Sequence, residues 1–122
     1  MVAEILDPEN VDHAQTAGCD EVIETTRVGF ALMAHATLQP GTAEVLGEVA
    51  SVGHQSLYVG RLPGDVEPGP FEAVRVAVRA RTGVLIIGLR DGGDDLLNPA
   101  DDHLVGPETR LLYLASEACL PQ

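Results

Sequence analysis

The chain has 122 residues, of which 19 are acidic and 7 basic, so its formal net charge is −12 at pH 7. All the cations are arginines, and both nucleic acids and anionic membranes are bound through clustered Lys and Arg. The charge balance therefore argues against both partners, and no apolar run approaches the roughly 20 residues that span a bilayer. We expect a soluble, cytoplasmic chain whose 45% hydrophobic content suffices for a packed core.

The first 24 residues predict a strand, a helix and a second strand. The apolar run at 2–6 is typical of a short buried strand, and 20–24 predicts another short strand. Between them, Asp7 as N-cap and Pro8 at the first helical position begin a helix that Gly18 ends. This order is a βαβ unit, so we expect the two strands to pair in parallel.

Two further helices follow directly. Thr25 and Thr26 are predicted to cap a helix through Leu38 that is apolar on nearly every side, and a third helix covers 42–51 with a narrower apolar stripe. A helix that is apolar all round is buried on more than one face, so we expect one face to meet a second subunit. The predicted dimer interface consists of Val28, Phe30, Leu32, Met33, His35 and Leu46.

The pattern changes after about residue 52, where we place a domain boundary between 1–51 and 52–122. Strands are predicted at 56–60, 84–89, 96–99 and 110–114, with an amphipathic helix over 70–82 that Gly83 ends. Asp91-Gly92-Gly93-Asp94 is predicted to be a tight hairpin turn. The second part is therefore a β-α-β-β-β module.

Two sets of short motifs occur in a fixed order along nearly the whole chain. The first set is Ala3-Glu4, Glu9-Asn10-Val11, Ala17 to Ile23 and Leu32-Met33-Ala34. The second is Gly83 to Leu89, Leu96-Leu97-Asn98-Pro99 and Gly106 to Leu114. Together they resemble the regulator-of-potassium-conductance (RCK) family: the second half of its N-terminal TrkA-N lobe, then its TrkA-C lobe. One departure is Glu108-Thr109, where the family commonly has Gly-Asp.

The resemblance implies an α/β fold, in which a partial Rossmann-like βαβ unit and dimerising crossover helices precede a small α+β lobe. It implies a non-enzymatic, cytosolic, ligand-sensing domain that gates a potassium channel, with the pore encoded upstream. Such domains act as homodimers or within an octameric gating ring. The alternatives are a regulatory subunit of a potassium uptake or antiport system, or a fragment of a dinucleotide-dependent oxidoreductase, for which the sequence offers no catalytic acid–base pair.

The ligand is left open between Ca²⁺, another divalent cation, a nucleotide and none. The glycine-rich phosphate turn G-x-G-x-x-G is absent, so we expect this chain to begin at a late Rossmann strand and to hold no complete dinucleotide site. Calcium-gated relatives place carboxylates at a strand-end Glu and two residues on. Here these positions are Glu4 and Leu6, so Glu4 is either a metal ligand or an ordinary strand-end acid.

Two charged clusters have alternative interpretations. The acids between Asp91 and Asp102 could chelate a cation, but the glycines and prolines among them favour a solvated hairpin turn. Arg75 and Arg79 share one helix face and could bind an anion, although a solvated or subunit-facing surface is the favoured interpretation. The four histidines form no i,i+4 pair, which argues against a zinc site.

Overall fold

A computed structural model describes residues 2–6, 10–19, 21–50 and 54–122. The chain divides into two compact units, residues 1–46 and 47–122.

The first unit contains a two-stranded parallel sheet and helices. Strand β1 (Val2–Ile5) lies beside β2 (Glu21–Glu24) in parallel, with Val2 opposite Glu21 and Ile5 opposite Glu24. The helix α1 (Val11–Thr16) connects them, as the predicted βαβ order requires. The helix α2 (Thr25–Leu38) follows β2 without a loop, and α3 (Thr42–Val49) crosses the division between the units.

The ends of the first two helices differ in part from the prediction. The expected cap at Asp7 and Pro8 lies outside the described residues, and the described helix begins after Asn10. Gly18 follows its end with a φ of +90°, as expected of a helix-terminating glycine. The prediction that Thr25 and Thr26 cap α2 is wrong. Because β2 runs straight into α2, Glu24 occupies the N-cap position and forms no side-chain cap.

The second unit is built on a four-stranded antiparallel sheet. Its strands lie in the order β3-β8-β5-β6, and a separate two-stranded sheet pairs β4 with β7. The bounds are β3 Ser56–Arg61, β4 Gly69–Pro70, α4 Phe71–Thr82, β5 Leu85–Asp91, β6 Asp94–Leu97, β7 Leu104–Val105 and β8 Arg110–Ala115. The prediction missed β4 and β7 because each has only two residues, too few for an alternation to be visible.

The hydrophobic core lies between α4 and one face of this sheet. Phe71, Val74 and Val78 of α4 are buried at helical spacing, together with Leu111 and Tyr113 of the central strand β8. Gly83 ends the helix with a φ of +77°, and Gly92 and Gly93 of the hairpin both have positive φ. The amphipathic helix and the tight hairpin turn therefore form as the pattern indicates.

The core is distributed unevenly along the chain. Among the described residues, every buried hydrophobic side chain lies between Val66 and Leu120. None of the three helices α1, α2 and α3 contains a buried residue. The second unit therefore has its own core, whereas the first has none within the described residues. Burial of apolar surface is the main stabilising contribution to folding, so this contribution lies mainly in the second unit.

The C-terminal segment is fastened to this core by a tyrosine. The Tyr113 hydroxyl accepts hydrogen bonds from the backbone N–H groups of Cys119 (3.2 Å) and Leu120 (3.3 Å), and the Leu120 side chain is buried. We expect Tyr113→Phe to lower the free energy of unfolding by about 1–3 kcal/mol, because both N–H groups lose their acceptor. Chemical denaturation measures the change. Tyr58→Phe is the control, because the Tyr58 ring packs on Tyr113. An equal loss of stability in both variants would contradict the role of the Tyr113 hydroxyl.

Candidate functional site

A groove in the second unit lies where the start of α4 meets β5 and the segment after β6. Its volume is about 440 Å³, within the range usual for small-molecule sites. The buried side chains of Phe71 and Ile86 contribute to its apolar lining. The remaining lining residues are Arg75, Leu85, Ile87, Asn98, Pro99 and Asp101. The groove therefore combines an apolar surface with one guanidinium, one amide and one carboxylate.

Backbone hydrogen bonds hold the walls of this groove together. The Asn98 N–H donates to the Ile87 carbonyl at 2.8 Å, which joins the segment after β6 to β5. The Glu72 N–H donates to the Asp101 carbonyl at 3.0 Å, which satisfies an otherwise unpaired group in the first turn of α4. Asn98 has a φ of +49°, a conformation that Asn tolerates better than most residues. These contacts place the Asn98 amide and Asp101 at the groove in a defined backbone geometry.

Arg75 is the cationic residue among those that line the groove. Its guanidinium donates to Glu72 Oε2, with the shorter contact at 2.5 Å, and both side chains remain partly exposed. This hydrogen bond, with smaller contributions from the charges of Glu72 and Asp101, raises the pKa of Arg75. Two donors of Arg75, its Nε and Nη2 groups, are therefore already engaged by Glu72.

Three of the other charged residues singled out in the sequence, Arg79, Asp91 and Asp95, have partners within the chain. Arg79 donates to the Gly83 carbonyl, so the structure does not present it together with Arg75 for an anion. Asp91 accepts a hydrogen bond from Thr109, and Asp95 pairs with Arg90, whose hydrogen bond lowers the pKa of Asp95. Asp91 and Asp95 thus take part in structural contacts of the turn region.

Glu4 is exposed at the end of β1, where the Thr25 hydroxyl donates to its carboxylate at 3.1 Å. The Thr26 hydroxyl donates to the Leu6 carbonyl at 3.3 Å, so both threonines connect the start of α2 to β1. Within the described residues, no group of three or more His, Cys, Asp or Glu side chains could hold a metal ion. A metal site at Glu4 stays a prediction.

The predicted interface residues are exposed in the single chain. Phe30 and Met33 each expose 67% of their surface, while Val28 and Leu32 are exposed to a smaller extent. At 100° per residue, Val28, Leu32 and His35 lie on one side of α2, and Phe30 and Met33 lie on another. A flat contact with one neighbour therefore leaves one side of this helix uncovered. Leu46 is exposed on α3.

Comparison with solved structures assigns the fold. The chain matches the human SLO3 gating ring with a TM-score of 0.77 at 16% identity, over 95% of this chain and 26% of that chain. Weaker matches are the GsuK RCK domain (TM-score 0.48, 22% identity, 94% and 24% covered) and the RCK C domain of the potassium transport protein KtrA in complex with cyclic diadenosine monophosphate (0.45, 16%, 62% and 86%). No protein-family model or curated protein matches the sequence.

The chain has the mixed α/β fold of the RCK domains, and the resemblance recognised in the sequence motifs is confirmed at the level of the fold. It spans about a quarter of the length of the SLO3 gating-ring chain. Among the described helices, none has both the length and the apolar character needed to cross a bilayer.

Sequence reasoning did not identify the groove. Asn98-Pro99 belongs to one of the family-like motifs, and the motif alone indicates no role for either residue. The signal was an Asn-Pro pair directly after a short strand, which marks a fixed backbone bend. The groove itself depends on the approach of α4 to that bend, which no local pattern reveals.

Proposed function

We propose that this chain is a ligand-sensing regulatory domain of a potassium channel. The observation that carries the proposal is the match of 95% of the chain to a potassium-channel gating ring at a TM-score of 0.77. The role is non-enzymatic, because regulation of this kind requires binding and a change of conformation but no chemical step. A regulatory subunit of a potassium uptake or antiport system is the second candidate, and it would use the same domain without a covalently attached pore.

The proposed working unit is a homodimer or a larger ring formed through α2. A 14-residue apolar helix with no buried residue gains little stability from its own chain. The side carrying Phe30 and Met33 is the proposed contact with a second copy. The opposite side, with Val28 and Leu32, suits the remainder of a Rossmann-like lobe.

The proposed sensing site is the groove at α4, β5 and Asn98. A ligand that fits it has a flat apolar body and polar edges, because the apolar lining is accompanied by an amide, a carboxylate and a guanidinium. Of the ligand classes left open, this chemistry favours a nucleotide over a bare cation. Since the groove is lined by three separate segments, a ligand stabilises one arrangement of them, as a gating signal requires.

Thermal unfolding with a ligand panel tests this site. We expect one of ADP, ATP, NAD⁺, NADH or cyclic diadenosine monophosphate to raise the unfolding midpoint, whereas any shift caused by Ca²⁺ or Mg²⁺ should be the same in Asn98→Gly as in the wild type. A 100-fold excess over the dissociation constant stabilises by about 2.7 kcal/mol. Asn98→Gly removes the amide and still permits positive φ, so it should weaken binding at least about ten-fold.

The matched comparison is Arg75→Gln against Arg27→Gln. Both remove one arginine charge from a helix, but only Arg75 lines the groove. We expect Arg75→Gln to weaken nucleotide binding in the groove and Arg27→Gln to leave it unchanged. The proposed site is wrong if no nucleotide shifts the midpoint, or if Asn98→Gly binds as tightly as the wild type.

A further inference from the structure

Three arginines form a row across the second sheet. The strand register places Arg61 of β3 opposite Arg110 of β8, and Arg110 opposite Arg90 of β5. Cross-strand partners point to the same face, so all three share the face opposite α4, where Leu57 and Leu114 also lie. We call this set the arginine row. With strands about 4.8 Å apart, the row extends over roughly 10 Å.

The row is unusual for this sequence. The chain has seven cations against 19 acids, yet three of the seven are direct cross-strand neighbours. Like charges placed directly opposite each other destabilise a sheet. In the described part of the chain, the side chains of Arg61 and Arg110 form no ion pair. The repulsion within the row is therefore only partly compensated by the protein itself.

The contact made by Arg90 shows which kind of chemical group the arginine row binds. Arg90 holds the Asp95 carboxylate with two hydrogen bonds, Nε to Oδ1 at 2.6 Å and Nη2 to Oδ2 at 3.0 Å. This two-point geometry is the one in which guanidinium groups bind carboxylates and phosphates. Asp95 occupies one end of the row, and the middle and the other end keep donors that an external anion can use.

We propose that the arginine row binds a soluble anion with two or more adjacent phosphate groups. A single phosphate can contact only part of a row about 10 Å long, whereas an oligophosphate can contact guanidinium groups from neighbouring strands. A soluble source is favoured over a lipid headgroup, because a chain with a net charge of −12 is repelled by an anionic bilayer. The inference is independent of the groove, since Arg90 and Leu85 lie toward opposite ends of β5.

Calorimetric titration of the full chain with inorganic pyrophosphate tests the proposal. We expect pyrophosphate to bind at least ten-fold more tightly than orthophosphate, and Arg110→Gln to weaken pyrophosphate binding at least ten-fold. Arg27→Gln removes a charge outside the row and should leave binding unchanged. Without ligand, Arg110→Gln should unfold at the same temperature as the wild type or higher, because it removes like-charge repulsion.

Arg61→Gln, at the exposed end of the row, provides a second variant should Arg110→Gln fail to fold. The proposal is overturned if the wild type does not bind pyrophosphate, or if Arg27→Gln weakens binding as much as the row variants do. It is also overturned if phosphatidylcholine vesicles containing a phosphoinositide bind the row while pyrophosphate does not. Asn98→Gly should keep its pyrophosphate affinity, which separates a failure here from a failure of the groove.

Discussion

Replacing Phe30 and Met33 together with glutamate is expected to convert the proposed dimer into a monomer. Both side chains are largely exposed in the single chain, and the proposed contact buries them against a second copy. Burying one such side chain contributes roughly 1.5–3 kcal/mol, and a two-fold axis repeats the pair. The substitutions also place charges where an apolar surface is required. We therefore expect the dissociation constant to rise by more than about a thousand-fold.

Light scattering and sedimentation over a range of concentrations measure this change. Leu104→Glu is the control, because Leu104 is equally exposed but lies on β7 in the other unit. It should remain dimeric. A wild-type chain that is monomeric at high concentration would contradict the proposed contact, as would a Phe30→Glu/Met33→Glu variant that still dimerises.

Gly88→Ala is expected to destabilise the second unit and to disturb the groove at the same time. A Cβ at this position would lie 2.7 Å from the Leu96 carbonyl oxygen and 3.0 Å from a methyl group of Leu97. The first of these is backbone, which cannot turn aside, so β6 has to move away from β5. Overpacking of this kind typically costs about 1–3 kcal/mol. Because Asn98 follows β6 directly, the same displacement should weaken ligand binding in the groove.

The matched control is Gly69→Ala. Nothing lies within 4 Å of a Cβ built on Gly69, and its φ is not positive, so its effect should stay within about 0.5 kcal/mol. Denaturation in urea and ligand titration report the two effects separately. Equal stability of Gly88→Ala and Gly69→Ala would show that β6 yields without cost.

Much of the fold could be predicted because its signals are local. The helical spacing of Phe71, Val74 and Val78 defines the buried side of α4. The pair Gly92-Gly93 likewise defines the hairpin without knowledge of the remaining chain. The order of motifs then gave the RCK-like architecture, which the gating-ring match confirms. The predicted capping role of Thr25 and Thr26 was wrong, because β2 continues into α2 without a turn. No local pattern in the sequence signals such a junction.

The site was harder to predict because its parts are distant in sequence. Arg75 and Asn98 line one groove only because α4 packs beside β5 and the Asn98 N–H bonds to the Ile87 carbonyl. The arginine row was equally hidden. Arg61, Arg90 and Arg110 show no common spacing along the chain, and only the strand register aligns them. Glu4 and the interface residues on α2 stay predictions, since the part of the chain that the structure describes offers them no partner of the required kind.

The uneven core has a consequence for the life of the protein in the cell. A copy that has not yet assembled presents an apolar α2 to its surroundings, while its second unit is already packed. Exposed apolar segments of this kind are what chaperones and proteases act on. We expect surplus copies to be removed while copies in the proposed assembly persist, so that the number of chains is matched to the number of assemblies without separate control of synthesis.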